Sequence, residues 1–463
     1  MPPRRSNAPA PTLPQAIVDT LVRGGDVGAL IDNAYVARFP ATPADRAELS
    51  ARAWDTGGTV GEGAGGIVWY AVHPRRADDF PRAVAAGVSP GAPLCVKATD
   101  MGDTKHERVR EALDDKPMRA IAMGVADAPP TLYADVAVSE MLIGSLLSHL
   151  FTSGASPHLV ALLHTAPVAD QMYALMERVG RRVSELRPPK RKGARGTVAY
   201  RHRSGVKHLA KVAPAVACTS EVIADIVVTV LFTLGQLQDA FGIVHHDVSL
   251  ENVWCKSLCA ADDAVAGADA PTAQHPPYLF QGRDLCAVRW FAYRFRGAAT
   301  FWVPNRGVLL KLGDAGNAIA TRLPLVDGRA RTIAHDILQR SLRSSQGIEW
   351  RRTHGITADM KPGYDAHYFL PQLAELAKAW RVAEPPELAR LHRRYSMPVS
   401  SETERPREGR LLRASPRDML LEHATTVWAR YTTPPSPMPA DAEVLYVDDL
   451  AGYDASRCLL PTG

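Results

Sequence analysis

The stretch HHDVSLEN at residues 245–252 combines residue types that transfer protons and bind metal ions. His245, Asp247 and Asn252 would all fit on one short loop, where a scaffold commonly presents catalytic side chains. Far downstream, the apolar stretch GVLLKLGDAGNA places Asp314 directly after a predicted strand. Asp247 could receive a hydroxyl proton, while Asn252 and Asp314 could supply oxygen ligands to a divalent metal ion. The residues therefore predict a phosphotransfer site.

A glycine-rich turn precedes this loop in the chain. Gly61, Gly63, Gly66 and Val68 fit the pattern G-x-G-x-x-G-x-V, within a stretch that predicts strand, turn and strand. A dinucleotide site would require a helix after the third glycine, whereas a strand follows here. The pattern instead favours a flap whose backbone amides cover a polyphosphate. The alternative is a β-hairpin turn that merely requires positive φ.

Lys97 lies in the next predicted strand, PLCVKA. A lysine within an apolar strand is costly unless its ammonium group is paired, so we expect an acidic partner. Glu140 is the preferred partner, because its predicted helix at 139–151 precedes the strands that complete this region. Glu107 and Glu111 lie closer in sequence and remain rivals.

The composition predicts a globular protein of two or more lobes or domains. The chain has 463 residues, of which 46% are hydrophobic, and a net charge of +5. Residues 181–211 hold eleven Lys or Arg and the single acid Glu185. This basic segment could be a solvated insertion, a patch for an acidic partner or nucleic acid, or a nuclear-import signal. Its only aromatic residue is Tyr200, so base stacking is not supported.

The sequence favours an intracellular protein with reduced cysteines and no membrane association. The first 15 residues lack the apolar core of a secretory signal, and six widely spaced cysteines do not form a disulfide framework. The longest apolar run, at 222–235, is short for a membrane span and contains Asp225, which indicates a buried helix.

A zinc site is a weaker hypothesis, because a CxxxC pattern without a second close pair is common by chance. The residues that such a site would use are Cys255, Cys259, His275 and Cys286.

The predicted elements change along the chain from mainly β to mainly α. Long helices are predicted at 219–241, 366–380 and 416–431. The expected segments are a partly disordered N-terminal extension (1–50), a β-rich part (51–180), a mainly helical part (181–431) with inserts at 181–211 and 256–306, and a Pro-rich tail with little structure (432–463).

Taken in order, these motifs resemble the protein kinase superfamily over about residues 57–431. The glycines match its nucleotide loop, Lys97 its strand lysine and Glu140 its helix glutamate. LMERV at 175–179 resembles the hinge, HHDVSLEN the catalytic loop H-R-D-x-x-x-x-N, and DAG at 314–316 the D-F-G motif. Asp365 resembles the buried aspartate of the family's central helix.

The resemblance implies an α+β, two-lobed fold with a small β-rich N-lobe and a larger helical C-lobe. It implies transfer of the γ-phosphoryl group of ATP, with Mg²⁺, to Ser or Thr of a protein substrate. Lys97 would orient the phosphates, Glu140 would hold Lys97, and Asp247 would take the hydroxyl proton. Asn252 and Asp314 would bind the metal. The backbone groups of Met176, Glu177 and Val179 would line the adenine pocket beside Gly61, Gly63, Gly66 and Val68.

A narrower resemblance is to the divergent kinases of large DNA viruses, carried by SEMLIGSLLSHLFTSGASPHLV and FWVPNRGVLLKLGDAG. It implies a location in the host cytoplasm or nucleus. Glu251 matches the Ser/Thr form of the catalytic loop. The chain departs from the family pattern at His246 (usually Arg), Ser249 (usually Lys) and Ala315 (usually Phe), and it has no clear A-P-E motif.

Two alternatives stay open. A kinase-like small-molecule phosphotransferase would keep the same loop and metal residues but act on an alcohol such as an aminoglycoside or choline. A pseudokinase scaffold would use the basic segment to bind acidic partners, with Ser249 and Ala315 as early signs of lost catalysis.

Overall fold

The computed structural model describes residues 59–63, 66–71, 94–100, 131–134, 136–168, 171–177, 179, 181–182, 199–202, 205–208, 217–258, 278–324, 330–335, 361–395 and 414–453. These residues form helices and several small sheets, as expected for the predicted α+β class. The predicted extension at 1–50 and the rival acids Glu107 and Glu111 lie outside them.

The strands are β1 (Thr59–Gly63), β2 (Gly66–Ala71), β3 (Leu94–Asp100), β4 (Thr131–Ala134), β5 (Leu162–Val168), β6 (Gln171–Glu177), β7 (Arg181–Arg182), β8 (Ala199–His202), β9 (Gly205–His208), β10 (Ile243–Val244), β11 (Val253–Ser257), β12 (Leu279–Phe280), β13 (Arg283–Asp284), β14 (Trp290–Arg294), β15 (Thr300–Pro304), β16 (Val308–Leu312), β17 (Ile319–Pro324), β18 (Ala330–His335) and β19 (Val444–Asp448). The α-helices are α1 (Val136–Thr152), α2 (Ser220–Phe241), α3 (Tyr364–Ala379), α4 (Pro386–Tyr395), α5 (Pro416–Leu421) and α6 (Ala429–Thr432), and a 3-10 turn spans Asp441–Glu443.

A five-stranded antiparallel sheet carries the glycine-rich turn and Lys97. Its order is β1-β2-β3-β6-β5, and β1 and β2 form the predicted hairpin. In the register, Lys97 of β3 lies between Val68 of β2 and Ala174 of β6. Lys97 is therefore held in the central strand, where both neighbours fix its backbone position.

Helix α1 packs against β5 and β6 of this sheet. Its buried residues recur at helical spacing, as expected for a helix with one face in the core. They include Ile143, Leu146, Leu147 and Leu150. The chain leaves the helix through Gly154, whose φ of 76° is a left-handed conformation that favours glycine.

Helix α2 is the predicted long helix and lies in the core. The Thr219 side chain caps its first turn, and Gly242 ends it with a φ of 61°. A Cβ atom on Gly242 would lie 2.1 Å from Oγ1 of Thr321, so only glycine fits there. Within the described part of the chain, α2 alone is long and apolar enough to cross a membrane, and 89% of its most apolar window is buried inside the protein.

Two small sheets frame the loop at 245–252. Strand β10 leads into the loop and pairs with β17, in a sheet of order β10-β17-β18-β4. Strand β11 leaves the loop and pairs with β16, which ends at residue 312 just before Asp314. The loop and the segment at 313–317 are therefore brought side by side. Helix α3 packs on α2 and α4 beneath them.

Residues 278–306, within the segment expected to be an insertion at 256–306, contribute to the core. Strands β14 and β15 pair antiparallel, and the ring of Tyr293 stacks on Phe232 of α2 at a centroid distance of 4.6 Å. The Tyr293 hydroxyl also lies 2.9 Å from Nε2 of His158 and 3.2 Å from Oγ1 of Thr229. The segment is thus anchored to α2.

The prediction of a single helix at 416–431 is wrong. The structure has the six-residue helix α5 and the four-residue helix α6, separated by turns. Thr425 and Thr426 lie between them, and β-branched residues have low helix propensity. The indole N–H of Trp428 donates to the Met419 carbonyl at 3.2 Å, which draws the turn segment back onto α5.

The expectation of little structure at 432–463 is also wrong for the described part of that tail. Strand β19 pairs in parallel with β14, and Leu445 is only 1% exposed. The Asp449 carboxylate then accepts a hydrogen bond from Arg417 of α5, which also bonds Asp239 of α2 at 3.1 Å. The apolar residues of VLYVD outweigh the Pro-rich composition around them.

The cysteines differ in part from expectation. Cys286 is disulfide-bonded, which differs from the expectation of fully reduced cysteines. Cys218 and Cys255 are not disulfide-bonded. No group of three or more His, Cys, Asp or Glu with metal-binding geometry occurs among the described residues, and Cys259 and His275 of the zinc hypothesis lie outside them.

Most of the basic segment at 181–211 lies outside the described residues. Its described parts are β7, which pairs with β11, and the two-stranded hairpin of β8 and β9, which lies against α3.

Candidate functional site

Lys97, Glu140 and Asp314 form one ion-paired cluster. The Lys97 ammonium group donates a hydrogen bond to Oε1 of Glu140 and another, of 2.8 Å, to Oδ1 of Asp314. The second oxygen of Glu140 accepts a hydrogen bond of 3.4 Å from the Thr99 hydroxyl. The sequence favoured Glu140 as the partner of Lys97, and this contact is present. The cluster of Lys97, Glu140 and Asp314 joins β3 to α1 and to the segment after β16.

The charges in this cluster keep Lys97 protonated. Burial by itself lowers the pKa of Lys97, but the nearby carboxylates of Asp314 and Glu140 outweigh it, and the net pKa is raised. Asp314 is the accessible member, with 44% of its side chain exposed. A cation could therefore approach Asp314, and a polyphosphate could reach Lys97 from the same side.

The loop at 245–252 is fixed from below by Asp365, the second residue of α3. The Asp365 carboxylate accepts hydrogen bonds of 2.8 Å from the backbone amides of both His245 and His246. His246 has a φ of 62°, an uncommon conformation for a residue with a side chain. Such strain persists where its surroundings enforce it, and the two bonds to Asp365 supply that constraint.

The histidine side chains tie the loop to the neighbouring segment. Nε2 of His245 lies 3.0 Å from the Gly313 carbonyl, and Nδ1 of His246 lies 3.1 Å from the Asn317 carbonyl. His246 stands at the position of the arginine in the H-R-D motif that this loop resembles, and here it contacts the segment after Asp314. The loop and that segment are therefore joined at two points.

Asp247 lies in the loop between two amide side chains. Nδ2 of Asn252 donates to its Oδ2 at 3.0 Å and to its carbonyl at 2.9 Å, and Nδ2 of Asn317 reaches the same Oδ2 at 3.4 Å. Burial, and then the charge of Asp314, raises the pKa of Asp247 to about 7. A carboxylate with a pKa near neutrality is suited to accept a proton during a reaction.

Asn252 and Asp314 are the residues of this site that could hold a divalent cation. The Asn252 side chain uses its amide nitrogen toward Asp247, so its oxygen remains available as a ligand. Its backbone carbonyl accepts a hydrogen bond from Gly313, directly before Asp314, at 3.2 Å. A neutral oxygen and an exposed carboxylate suit Mg²⁺, which keeps several ligands from water or substrate phosphates.

The predicted nucleotide-contacting residues lie on the same sheet as Lys97. Gly61, Gly63 and Gly66 belong to the β1–β2 hairpin, in which Gly63 pairs with Gly66. Val68 pairs with Lys97 across β2 and β3. The hairpin is thus next to the lysine, and its contact with phosphates stays a prediction.

Met176, Glu177 and Val179 lie at the end of β6 and just beyond it, with Met176 half-buried and Val179 buried. The backbone amide of Glu177 donates to the Ala161 carbonyl at 3.0 Å. The Glu177 side chain, which is 1% exposed, points into the core. The adenine role of these backbone groups stays a prediction.

Two residues near the site were missed from sequence. Asn317 touches Asp247, and no spacing rule singled it out. Lys311 is 0% exposed and bonds Glu177. The signal for Lys311 was present, because a lysine within the apolar strand VLLKL requires a buried acidic partner just as Lys97 does.

Comparisons with known proteins leave this geometry as the main evidence. No protein-family model and no curated protein matches the chain. Among solved structures, one that matches contains titin kinase and its flanking domains, at 12% sequence identity and a TM-score of 0.23. The match covers 43% of this chain, and this chain spans only 23% of that one. A likeness at this TM-score supports no conclusion about function.

Proposed function

We propose that this chain is a two-lobed, ATP-dependent protein kinase that transfers the γ-phosphoryl group of Mg-ATP to Ser or Thr hydroxyls of proteins. The observation that carries the proposal is the contact of Lys97 with both Glu140 and Asp314, beside the loop that holds Asp247 and Asn252. These residues come from β3, α1, the loop after β10 and the segment after β16. A cation, two metal ligands and a proton acceptor in one place are what phosphoryl transfer requires.

Each residue has one role in this proposal. Lys97 binds phosphate oxygens, and Glu140 holds the lysine in place. Asn252 and Asp314 bind Mg²⁺, which neutralises charge on the phosphates when it is bound. Asp247 orients the substrate hydroxyl and accepts its proton as the new oxygen–phosphorus bond forms, while the bond between the γ-phosphorus and the bridging oxygen breaks and ADP leaves. Because Asn252 and Asn317 both bond Oδ2 of Asp247, the other carboxylate oxygen would face the hydroxyl.

Asp365 supports this chemistry without touching the reactants. It accepts hydrogen bonds from the consecutive backbone amides of His245 and His246, so Asp247 leaves the loop in a fixed direction. Preorganised groups of this kind contribute to catalysis because they need no rearrangement during the reaction.

The test is incubation of the purified chain with Mg²⁺ and γ-labelled ATP, offering casein and a basic protein as acceptors. We expect label on protein with the wild type and a loss of about 10²–10⁴-fold in Asp247→Asn. Asp239→Asn is the matched control, because Asp239 is a partly buried aspartate that pairs with Arg417 away from the site. It should retain the wild-type rate.

The other outcomes separate the alternatives. Label on a small alcohol such as choline or an aminoglycoside, with none on protein, would replace the protein-kinase proposal by a small-molecule phosphotransferase. Binding of Mg-ATP with no transfer to any acceptor would overturn the enzymatic proposal and favour a scaffold.

A further inference from the structure

Lys311 is a fully buried lysine on β16, three residues before Asp314. Its ammonium group donates to the Leu159 carbonyl at 2.9 Å and to Oε1 of Glu177. It also lies 3.9 Å from the centroid of the Phe151 ring, at the end of α1. Lys311 therefore connects β16, which leads to Asp314, with α1, which carries Glu140.

Glu177 is the other half of this pair and ends β6. Its Oε1 accepts a hydrogen bond of 3.1 Å from the Ala161 amide, and its Oε2 accepts one of 2.9 Å from the Tyr278 hydroxyl. The Glu177 backbone amide also bonds the Ala161 carbonyl at 3.0 Å. The end of β6 is therefore fixed both by its backbone and by its side chain.

Stability alone does not account for this pair. Removing two charges from water costs several kcal/mol each, and replacing a buried ion pair with apolar residues of similar volume is often neutral or stabilising. Burial lowers the pKa of Lys311 to about 8, against the opposing charge of Glu177. Unlike an apolar contact, the pair fixes the position of β16 relative to the end of β6, because its hydrogen bonds form in one relative position only.

We propose that Lys311 and Glu177 are positioning residues that hold the end of β6 at a fixed distance from β16, the strand that leads to Asp314. This inference rests on the proposed function, with its metal ion at Asp314, and on the prediction that adenine lies at the end of β6. A nucleotide with bound metal spans both places. The pair therefore presets the separation between the adenine contact and the metal contact.

The test compares a ligand that reaches one place with a ligand that spans both. Binding constants for adenosine and for Mg²⁺ with the non-hydrolysable analogue AMP-PNP are measured by calorimetry on the full chain. In Lys311→Met we expect adenosine to bind within about twofold of wild type, and Mg-AMP-PNP to bind at least tenfold more weakly. Equal weakening of both ligands in a variant that is still folded would overturn the positioning role.

Two further variants keep the test decisive. Glu177→Gln keeps the volume and acceptor oxygen of the side chain but removes its charge, and it decides the question if Lys311→Met does not fold. It should also selectively weaken Mg-AMP-PNP. Lys256→Met removes another buried lysine, on the neighbouring strand β11, and should leave both binding constants within twofold of wild type.

The double variant Lys311→Met with Glu177→Leu replaces the pair by apolar side chains. We expect it to unfold at a temperature no lower than that of Lys311→Met, because no buried charge is left unpaired, while its Mg-AMP-PNP binding stays weak. Recovery of wild-type Mg-AMP-PNP binding in this variant would contradict the inference. If the wild type itself binds neither ligand, the proposed function fails. If it binds both, and the variants change neither, only the inference fails.

Discussion

The Lys97 ammonium group lies 2.8 Å from Oδ1 of Asp314. The group proposed to hold phosphate is thus paired with the group proposed to hold metal. Because Asp314 is 44% exposed whereas Lys97 is 15% exposed, a cation from solvent can compete for Asp314 and release Lys97 for phosphate. The two proposed roles are therefore coupled.

This coupling predicts the behaviour of Asp314→Asn. The variant lacks the charge that is proposed to bind the metal ion, so we expect kcat/KM for ATP to fall about 10²–10³-fold at low Mg²⁺, and to recover in part as Mg²⁺ is raised. The measurement is the ATP-transfer rate as a function of Mg²⁺ concentration. Asp448→Asn, which alters an exposed aspartate paired with Arg294, is the control. If the wild type, Asp314→Asn and Asp448→Asn showed the same Mg²⁺ dependence, this would count against metal binding by Asp314.

We expect substitution of Asn317 to have a smaller effect on the same reaction. Its amide is 3.4 Å from Oδ2 of Asp247, a longer contact than the 3.0 Å of Asn252. Loss of one weak hydrogen bond to a charged group corresponds to roughly 1 kcal/mol, so Asn317→Ala should lower kcat about fivefold with little change in KM for ATP. Steady-state kinetics of Asn317→Ala beside Asn252→Ala would check this. A larger loss in Asn317→Ala than in Asn252→Ala would reverse the proposed ranking.

We expect substitutions of Asp365 to lower the stability in graded steps. Asp365→Ala leaves the buried amides of His245 and His246 without their acceptor, at a cost of about 1–3 kcal/mol each. Asp365→Asn keeps one acceptor oxygen, so the free energy of unfolding should decrease in the order wild type, Asn, Ala. Urea unfolding measures this order, and hydrogen exchange at the two amides should accelerate with it. Unchanged exchange in Asp365→Ala would show that Asp365 does not hold the loop.

We expect His158 to make the folded protein less stable in acid. Its two ring nitrogens each lie 2.9 Å from a partner, the Leu310 carbonyl and the Tyr293 hydroxyl, and burial lowers its pKa from 6.5 to about 4. Between these values the unfolded chain binds a proton that the folded chain excludes. Stability therefore rises with pH through this window and falls as pH is lowered, by at most about 1.4 kcal/mol per pH unit from this group.

The comparison variant for this prediction is His158→Gln, which does not titrate. Urea unfolding at pH 6.5 and pH 5 should show a larger loss of unfolding free energy for wild type than for the variant. All other titrating groups are shared, so their contributions cancel in the difference. Equal losses in the two proteins would mean that His158 is not buried in its neutral form.

In the C-terminal strand β19, we expect adjacent residues to differ in how much they stabilise the fold. Leu445 is 1% exposed and faces the core, whereas Tyr446 lies on the other face of the sheet beside Trp302, and their ring centroids are 6.4 Å apart. Leu445→Ala should lower the free energy of unfolding by about 2–5 kcal/mol. Tyr446→Ala should lower it by less, because Tyr446 is only half-buried. Thermal unfolding of both variants is the measurement, and equal effects would contradict the alternation of β19.

The sequence predicted those parts of the site that depend on short motifs or on a single buried charge. Lys97 in an apolar strand implied an acid, and Glu140 followed from the order of elements. The loop at 245–252 and Asp314 were found because each follows an apolar strand. Long helix α2 was predictable from its unbroken apolar pattern, which requires burial wherever the helix is placed.

The rest depended on contacts between distant parts of the chain. Glu177 and Lys311 are 134 residues apart, and no local pattern says which buried acid meets which buried lysine. Strand β19 was hidden by prolines around it, although four of its five residues, VLYVD, are hydrophobic. The helix predicted at 416–431 failed because the apolar period continues through Thr425 and Thr426, where the backbone turns.

The hydrogen bonds that Asp365 accepts set an order of events during synthesis. The loop amides that Asp365 binds were made 119 and 120 residues earlier, so the growing chain carries Asp247 for several seconds before its support exists. Over that interval the amides must be met by water or by other partners. The loop therefore reaches its native form only after translation has passed α3, and a nascent chain that stops before this point lacks the support on which the proposed phosphoryl transfer depends.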